Sequence, residues 1–243
     1  TIIGSAFGET LGGGLGRDTL VGRAGNDKLR GHAGADTIRG GAGDDVIVIM
    51  ADEGVGDVID AGETGETRGD VLRVVGTSDP VLAGFDAAAS GIEIWEGNGG
   101  HLRGTNAADH FDLSGLTAIS GLTYTFGGDG DDTIIGSAFG ETLGGGLGRD
   151  TLVGGAGDDL LTGGEANDTL CFAGAFGHDK ITDFEPGADV ISFARAIFSS
   201  FEDVISASSQ QNTDVMITVD TDNSLLLSDV ALESLNHDDF LFA

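Results

Sequence analysis

Aspartates recur on a nine-residue grid at positions 18, 27, 36 and 45, and again at 132, 150, 159 and 168. Carboxylates in so regular a series do one kind of chemistry well: brought together in pairs, they hold a cation. Six or more oxygen ligands at about 2.3–2.6 Å suit calcium. Magnesium keeps its waters, and zinc takes His or Cys. Catalytic patterns are missing from the sequence: it has no His-Glu-x-x-His, no Gly-x-Ser-x-Gly and no phosphate-cradling Gly-Lys-Ser/Thr. The five histidines are scattered, and the single cysteine, Cys171, has no sequence-near base and closes no intramolecular disulfide. The chain reads as a non-enzyme.

The grid belongs to a nonapeptide, G-G-x-G-x-D-x-(Leu/Ile)-x. Units open at Gly4, Gly13, Gly22, Gly31 and Gly40, then at Gly127, Gly136, Gly145, Gly154 and Gly163, and residues 1–22 recur unchanged at 133–154. The units from 13, 40, 127, 145 and 154 keep all four fixed Gly and Asp positions, whereas those from Gly4 and Gly136 carry Glu9 and Glu141 at the sixth place and lose glycines too. Glycines at the first, second and fourth places predict sharp turns whose carbonyls point into one small volume. The eighth place is always Leu or Ile, which predicts a short strand with one buried residue. One unit cannot hide its own leucine. Two make a flattened coil of 18 residues, and stacked coils bury an apolar ladder between two parallel sheets. Each Asp then lies one strand spacing, roughly 4.8 Å, from the Asp 18 residues on.

These units resemble the calcium-binding nonapeptides of the RTX (repeats-in-toxin) family of bacterial type I secreted proteins. The resemblance implies an all-β, right-handed parallel β-roll with a C-terminal capping module. It also implies several calcium ions, each held between stacked turns by two Asp carboxylates and four carbonyls. The lower turn supplies its second and fourth carbonyls, the upper its first and third. Carried over in that way, Gly14, Gly16 and Asp18 pair with Gly31, Ala33 and Asp36, and Arg23, Gly25 and Asp27 with Gly40, Ala42 and Asp45. In the second array Gly128, Gly130 and Asp132 pair with Gly145, Leu147 and Asp150, and Gly146, Gly148 and Asp150 with Gly163, Glu165 and Asp168. Gly155, Gly157 and Asp159 pair with Gly174, Phe176 and Asp179. The sites of the Glu9 and Glu141 units are doubtful. Asp158, at a fifth place, is expected to point to water.

Outside the arrays of residues 1–60 and 127–183, Asp57–x–Ile59, Asp70–x–Leu72 and Asp109–x–Phe111 keep the sixth-to-eighth spacing. Residues 61–126 are therefore either worn coils or a small inserted β-domain, with the in-frame unit at 104–112 favouring coils, and they are expected to bind little calcium. From Phe184, Pro186-Gly187 is expected to break the coil, and glycine vanishes after 187. Residues 184–243 read as a different module that caps the roll, with a helical face at Phe201, Val204 and Ile205, two strands and an apolar end. They also resemble the C-termini of RTX proteins, which carry an uncleaved type I secretion signal.

The chain has 41 acidic and 11 basic residues among its 243, a formal net charge of −30. Nucleic acid and anionic membranes are poor partners for such a surface. The longest apolar run, residues 46–51, is far short of the roughly 20 that a spanning helix needs. The opening Thr1-Ile2-Ile3, without an initiator Met or a leader, suggests an excised piece. The expected partners are calcium and the type I secretion apparatus, and the expected place is outside the cell or on its surface. Two other readings stay open: the non-catalytic part of a secreted hydrolase or epimerase, or a spacer in an adhesin or surface-layer protein. Either brings a polysaccharide or cell surface in through the parent protein.

Overall fold

Each nonapeptide becomes half a coil. The strand takes the seventh to ninth places and the first three of the next unit, as in Thr19–Ala24 and Lys28–Ala33, and the fourth to sixth places make the bend. In the computed structural model, residues 1–50, 53–62 and 64–243 are described; Ala51, which ends the apolar run of the sequence, lies outside them. The chain divides into two compact units, residues 1–105 with 112–123, and 106–111 with 124–243. Each is built of parallel strands stacked as a β-solenoid.

In the first unit Thr10–Leu15, Lys28–Ala33, Val46–Ile49, Val71–Val74 and Ile94–Arg103 follow one another in one sheet, and Ile2–Ile3, Thr19–Ala24, Thr37–Ala42 and Val58–Asp60 in a second. The register steps by 18 residues, Leu11 on Leu29 and Leu20 on Ile38. The eighth-place column is the core: Leu20, Leu29, Ile38 and Ile47 are fully buried, as are Ile134, Leu143, Leu152, Leu161 and Leu170 in the second unit. Each such side chain contributes about 1.5–3 kcal/mol by burial. Residues 71–103 continue the stack with lengthened corners, and Trp95 is buried edge-on to Phe85.

The second unit departs from expectation at its end. Pro186-Gly187 does not break the coil. Val190–Phe193 pairs in parallel with Thr169–Phe172, Ser224–Leu227 with His178–Ile181, and Phe240–Phe242 with Val190–Phe193. Gly187 takes φ +86 and turns the corner from His178–Ile181 in one sheet to Val190–Phe193 in the other. Asp214–Thr218 adds antiparallel to Ser224–Leu227, and Ser208–Gln211 adds antiparallel to Asp214–Thr218, beside the helix Phe201–Ser206, whose Ser200 cap accepts from Asp203 N at 3.2 Å. Antiparallel addition ends one edge of the roll without offering the next coil a template.

The glycines divide into two jobs. Second and fourth places take positive φ, 106° at Gly14 and 96° at Gly16, and the same backbone is imposed on Arg23 (86°) and His32 (71°). The first place is different, because its φ is not positive. A methyl on Gly40 would lie 2.2 Å from Asp45 Oδ2 and 2.4 Å from the Ala61 carbonyl, so glycine there makes room for the carboxylate. Gly40→Ala is expected to abolish folding of the first array or raise its calcium requirement at least tenfold. Gly12→Ala, whose methyl meets nothing nearer than His32 at 3.4 Å, should cost under about 0.5 kcal/mol. Circular dichroism during calcium titration of both variants checks this, and equal effects would contradict the crowding argument.

Candidate metal centre

The stacked aspartates make a hydrogen-bonded ladder. The backbone N–H of each sixth-place residue donates to Oδ1 of the sixth-place Asp one coil on: Asp18 to Asp36 at 2.7 Å, Asp27 to Asp45 at 2.8 Å, Asp132 to Asp150 and Asp150 to Asp168 at 2.8 Å, and Asp159 to Asp179 at 2.9 Å. All five carboxylate pairs expected from sequence are thus brought together. One oxygen of each upper carboxylate is satisfied. The other is not: Oδ2 of Asp27, Asp36, Asp45, Asp132, Asp150, Asp159, Asp168 and Asp179 is buried without a hydrogen-bond partner, and so is Oδ2 of Asp70. A buried acceptor left unpaired costs about 1–3 kcal/mol, more when charged, so a ladder of them is incomplete as protein alone.

The carbonyls converge on the same steps. A Cβ built on Gly41 would meet the Arg23 carbonyl oxygen at 2.1 Å, one on Gly34 the Gly16 oxygen at 2.0 Å, and those on Gly146 and Gly148 the oxygens of Gly128 and Gly130 at 2.1 Å. One on Gly164 meets the Gly146 oxygen at 2.1 Å and one on Gly177 the Gly157 oxygen at 2.0 Å. Second- and fourth-place carbonyls of the lower coil therefore rise toward the upper one. In return the first-place carbonyls of Gly31, Gly40 and Gly145 come within 2.6–2.8 Å of the methyl positions of Gly13, Gly22 and Gly127. Third-place carbonyls accept from the lower fourth-place N–H, Ala33 from Gly16 and Ala42 from Gly25 at 2.8 Å, Leu147 from Gly130 at 2.7 Å and Glu165 from Gly148 at 3.2 Å. A carbonyl so used keeps a second lone pair. An all-oxygen donor set with two carboxylates fits calcium.

The doubtful Glu units close themselves. Glu9 accepts from Ser5 N at 3.1 Å and from Ser5 Oγ, and Glu141 accepts from Ser137 in the same way. Their backbone N–H groups still join the ladder, Glu9 to Asp27 and Glu141 to Asp159, each at 2.7 Å. Several rungs lie off the nine-residue frame: Asp36 to Asp57, Asp45 to Asp70, Asp70 to Glu93, Asp109 to Asp132 and Asp168 to Asp189. Corner insertions hide them from a fixed period. Spacing of an acid two residues before an apolar residue, Asp in all but Glu93, is the signal that survives. Asp189 differs from the others in that its Oδ2 accepts from Glu185 N at 2.8 Å. Asp158 corrects an expectation: although exposed, it accepts from His178 N at 2.9 Å, as Asn26 does from Asp44 N and Asp131 from Arg149 N. Fifth-place side chains clip neighbouring coils.

Four spans of the chain, residues 12–47, 126–140, 135–170 and 144–181, match the family model of the RTX calcium-binding nonapeptide repeat. Both arrays are RTX repeats. Among solved structures, the extracellular lipase LipA from Serratia marcescens aligns at 25% identity with a TM-score of 0.38, over 99% of this chain and 39% of the lipase. The chain thus spans about two fifths of that protein's length. The AlgE6R3 subunit of the Azotobacter vinelandii mannuronan C5-epimerase aligns at 24% identity with a TM-score of 0.36, over 59% of this chain and 78% of the subunit. No curated protein matches the chain.

Burial first, and neighbouring carboxylates second, push the ladder acids up against the N–H bonds they accept. Asp45, Asp132, Asp159 and Asp168 rise to about 6, Asp70 to about 7 and Asp179 to about 8. A carboxyl raised above its unfolded value, near 3.9, binds its proton more tightly in the folded chain. Its contribution to stability is then complete below about pH 4 and is lost as pH climbs through 6 to 8. The calcium-free chain should accordingly lie closer to folding at pH 5 than at pH 8. Circular dichroism of metal-stripped protein across that range measures it, and a β-sheet signal that rises with pH would contradict the burial of these acids.

Proposed function

We propose that the chain is a non-catalytic calcium-driven folding module of a longer secreted protein, exported by a type I apparatus and folded outside the cell. The observation that carries this reading is the row of buried carboxylate oxygens with no partner in the protein. The ions would sit where the paired turns bring their oxygens together, held by Asp18 with Asp36, Asp27 with Asp45, Asp132 with Asp150, Asp150 with Asp168 and Asp159 with Asp179, and by the carbonyls between them. Calcium supplies the positive charge that such rows lack, and it adds its binding free energy to folding because no site exists in the unfolded chain. At low cytosolic calcium, 30 uncompensated negative charges oppose compaction. Outside, millimolar calcium reverses the balance.

Circular dichroism during a calcium titration is expected to show a cooperative change from disordered to β-rich, with half-saturation in the range of about 10⁻⁴–10⁻³ M or tighter where steps are coupled. Magnesium should not substitute. A chain that is already β-rich in excess chelator would defeat the switch.

Position separates ligands from bystanders. Asp150 serves two steps, so Asp150→Ala should lower the calcium count by one or two and leave Asp132 N–H without its acceptor. Asp158→Ala removes the same charge and one exposed hydrogen bond, worth about 0.5–1.5 kcal/mol, and should leave the count unchanged. Isothermal titration of both variants distinguishes them. Equal loss of calcium from the two would mean a diffuse counter-ion effect.

A further inference from the structure

From Ala61, at a first place, to Asp70, at a sixth, the first unit spends ten residues where the nonapeptide spends six. The ladder nevertheless crosses it. Asp45 N–H donates to Asp70 Oδ1 at 2.6 Å, both side chains are fully buried, and both Oδ2 atoms lack a partner. The carbonyl pattern is kept as well: Ala61 O accepts from Gly41 N at 2.7 Å, and the Gly41 oxygen lies 2.0 Å from a methyl built on Gly62.

The inserted residues are pinned by a side chain from the coil below. Asp44 accepts from Thr67 N and Thr67 Oγ1 at 2.7 Å and from Arg68 N at 3.0 Å, and these bonds hold its carboxyl well below the usual carboxylate range, with those from Arg68 and Thr67 leading. Glu66 precedes that anchor and is half-buried, with Oε1 shielded from solvent. It lies close enough for its charge to act on both Asp45 and Asp70. The bend that leads to Asp57 also carries an acid, Glu53, but Arg30 pairs with it at 2.8 Å.

We propose that the step between Asp45 and Asp70 is a calcium site of a different type from the repeat sites, with Glu66 from the inserted bend as a third carboxylate beside the Gly41 and Ala61 carbonyls. It rests on the reading that the ladder binds calcium, and it extends that binding past residue 47, into a segment expected from sequence to bind little. Affinity in oxygen sites rises with the number of charged ligands. The site is therefore the tightest of the first array.

Equilibrium dialysis of the full chain against radioactive calcium tests it, with Glu66→Gln, Asp70→Asn and, as a charge control, Glu233→Gln, an exposed acid of the C-terminal segment. Glu66→Gln should keep the total count at saturation and weaken the tightest class of ions at least tenfold. Asp70→Asn should lower the count by one, and Glu233→Gln should change neither. If the unaltered chain binds no calcium, the proposed function itself fails. If it binds calcium and Glu66→Gln behaves as Glu233→Gln does, the third-carboxylate site is wrong while the repeat sites stand. Circular dichroism at saturating calcium verifies folding. Should Asp70→Asn fail to fold, the affinity of the conservative Glu66→Gln variant decides.

Discussion

A backbone N–H of one coil bonded to the carboxylate of the next is the contact on which the structure depends. It fixes the vertical register, since the donor and acceptor occupy the same place in successive coils. It also creates the electrostatic problem. Each bond satisfies Oδ1 and leaves Oδ2 buried without a hydrogen-bond partner, so the bond that aligns the coils concentrates negative charge along their edge. Charge burial of this kind is stable only with a counter-charge or a proton. The raised acids are the proton answer, and a divalent cation is the other.

The glycine pattern follows from that contact. Positive φ at the second and fourth places aims carbonyls toward the coil above, and the backbone holds this shape even where Arg23 or His32 must bear a left-handed conformation. Strain of that size, about 1–3 kcal/mol per residue, is tolerated only where neighbouring coils over-determine the backbone. The first-place glycine serves the carboxylate instead of the turn. Space, not flexibility, explains why no other residue occupies the first place of the ten units.

Where the period holds, the sequence carries both the fold and the site. Leu20, Leu29, Ile38 and Ile47 sit on the nine-residue grid and are the buried column, and the five expected Asp pairs are rungs. The period fails where corners lengthen. Asp57, Asp70, Glu93 and Asp189 are spaced 21, 25, 23 and 21 residues from their partners, because a bend can grow outward while the strands it joins keep their register. Pro186-Gly187 misleads for the same reason: a residue pair that ends a helix or a central strand is harmless at a solenoid corner, where the chain turns in any case. Asp158 was legible as a fifth-place residue, yet nothing in its neighbours signals that it reaches the N–H of a residue in the next coil.

The duplicated segment shows how far a local sequence determines its own electrostatics. Residues 1–22 and 133–154 are identical, and Glu9 and Glu141 make the same bonds to the serine four residues before them. Hydrogen bonds from Ser5 lower Glu9, whereas burial raises Glu141 to about 7 despite the same two bonds from Ser137. The nonapeptide is equal in both cases; the cover over it is not. Ionisation of a rung is thus a property of the stack, and a rung becomes costly to charge only after its neighbours have folded over it. A cation that enters one step removes that cost for the carboxylate it shares with the next. Under the proposed function, two sites joined through Asp150 would be coupled in this way by a shared ligand, which would give the roll cooperativity without any contact beyond those between adjacent coils.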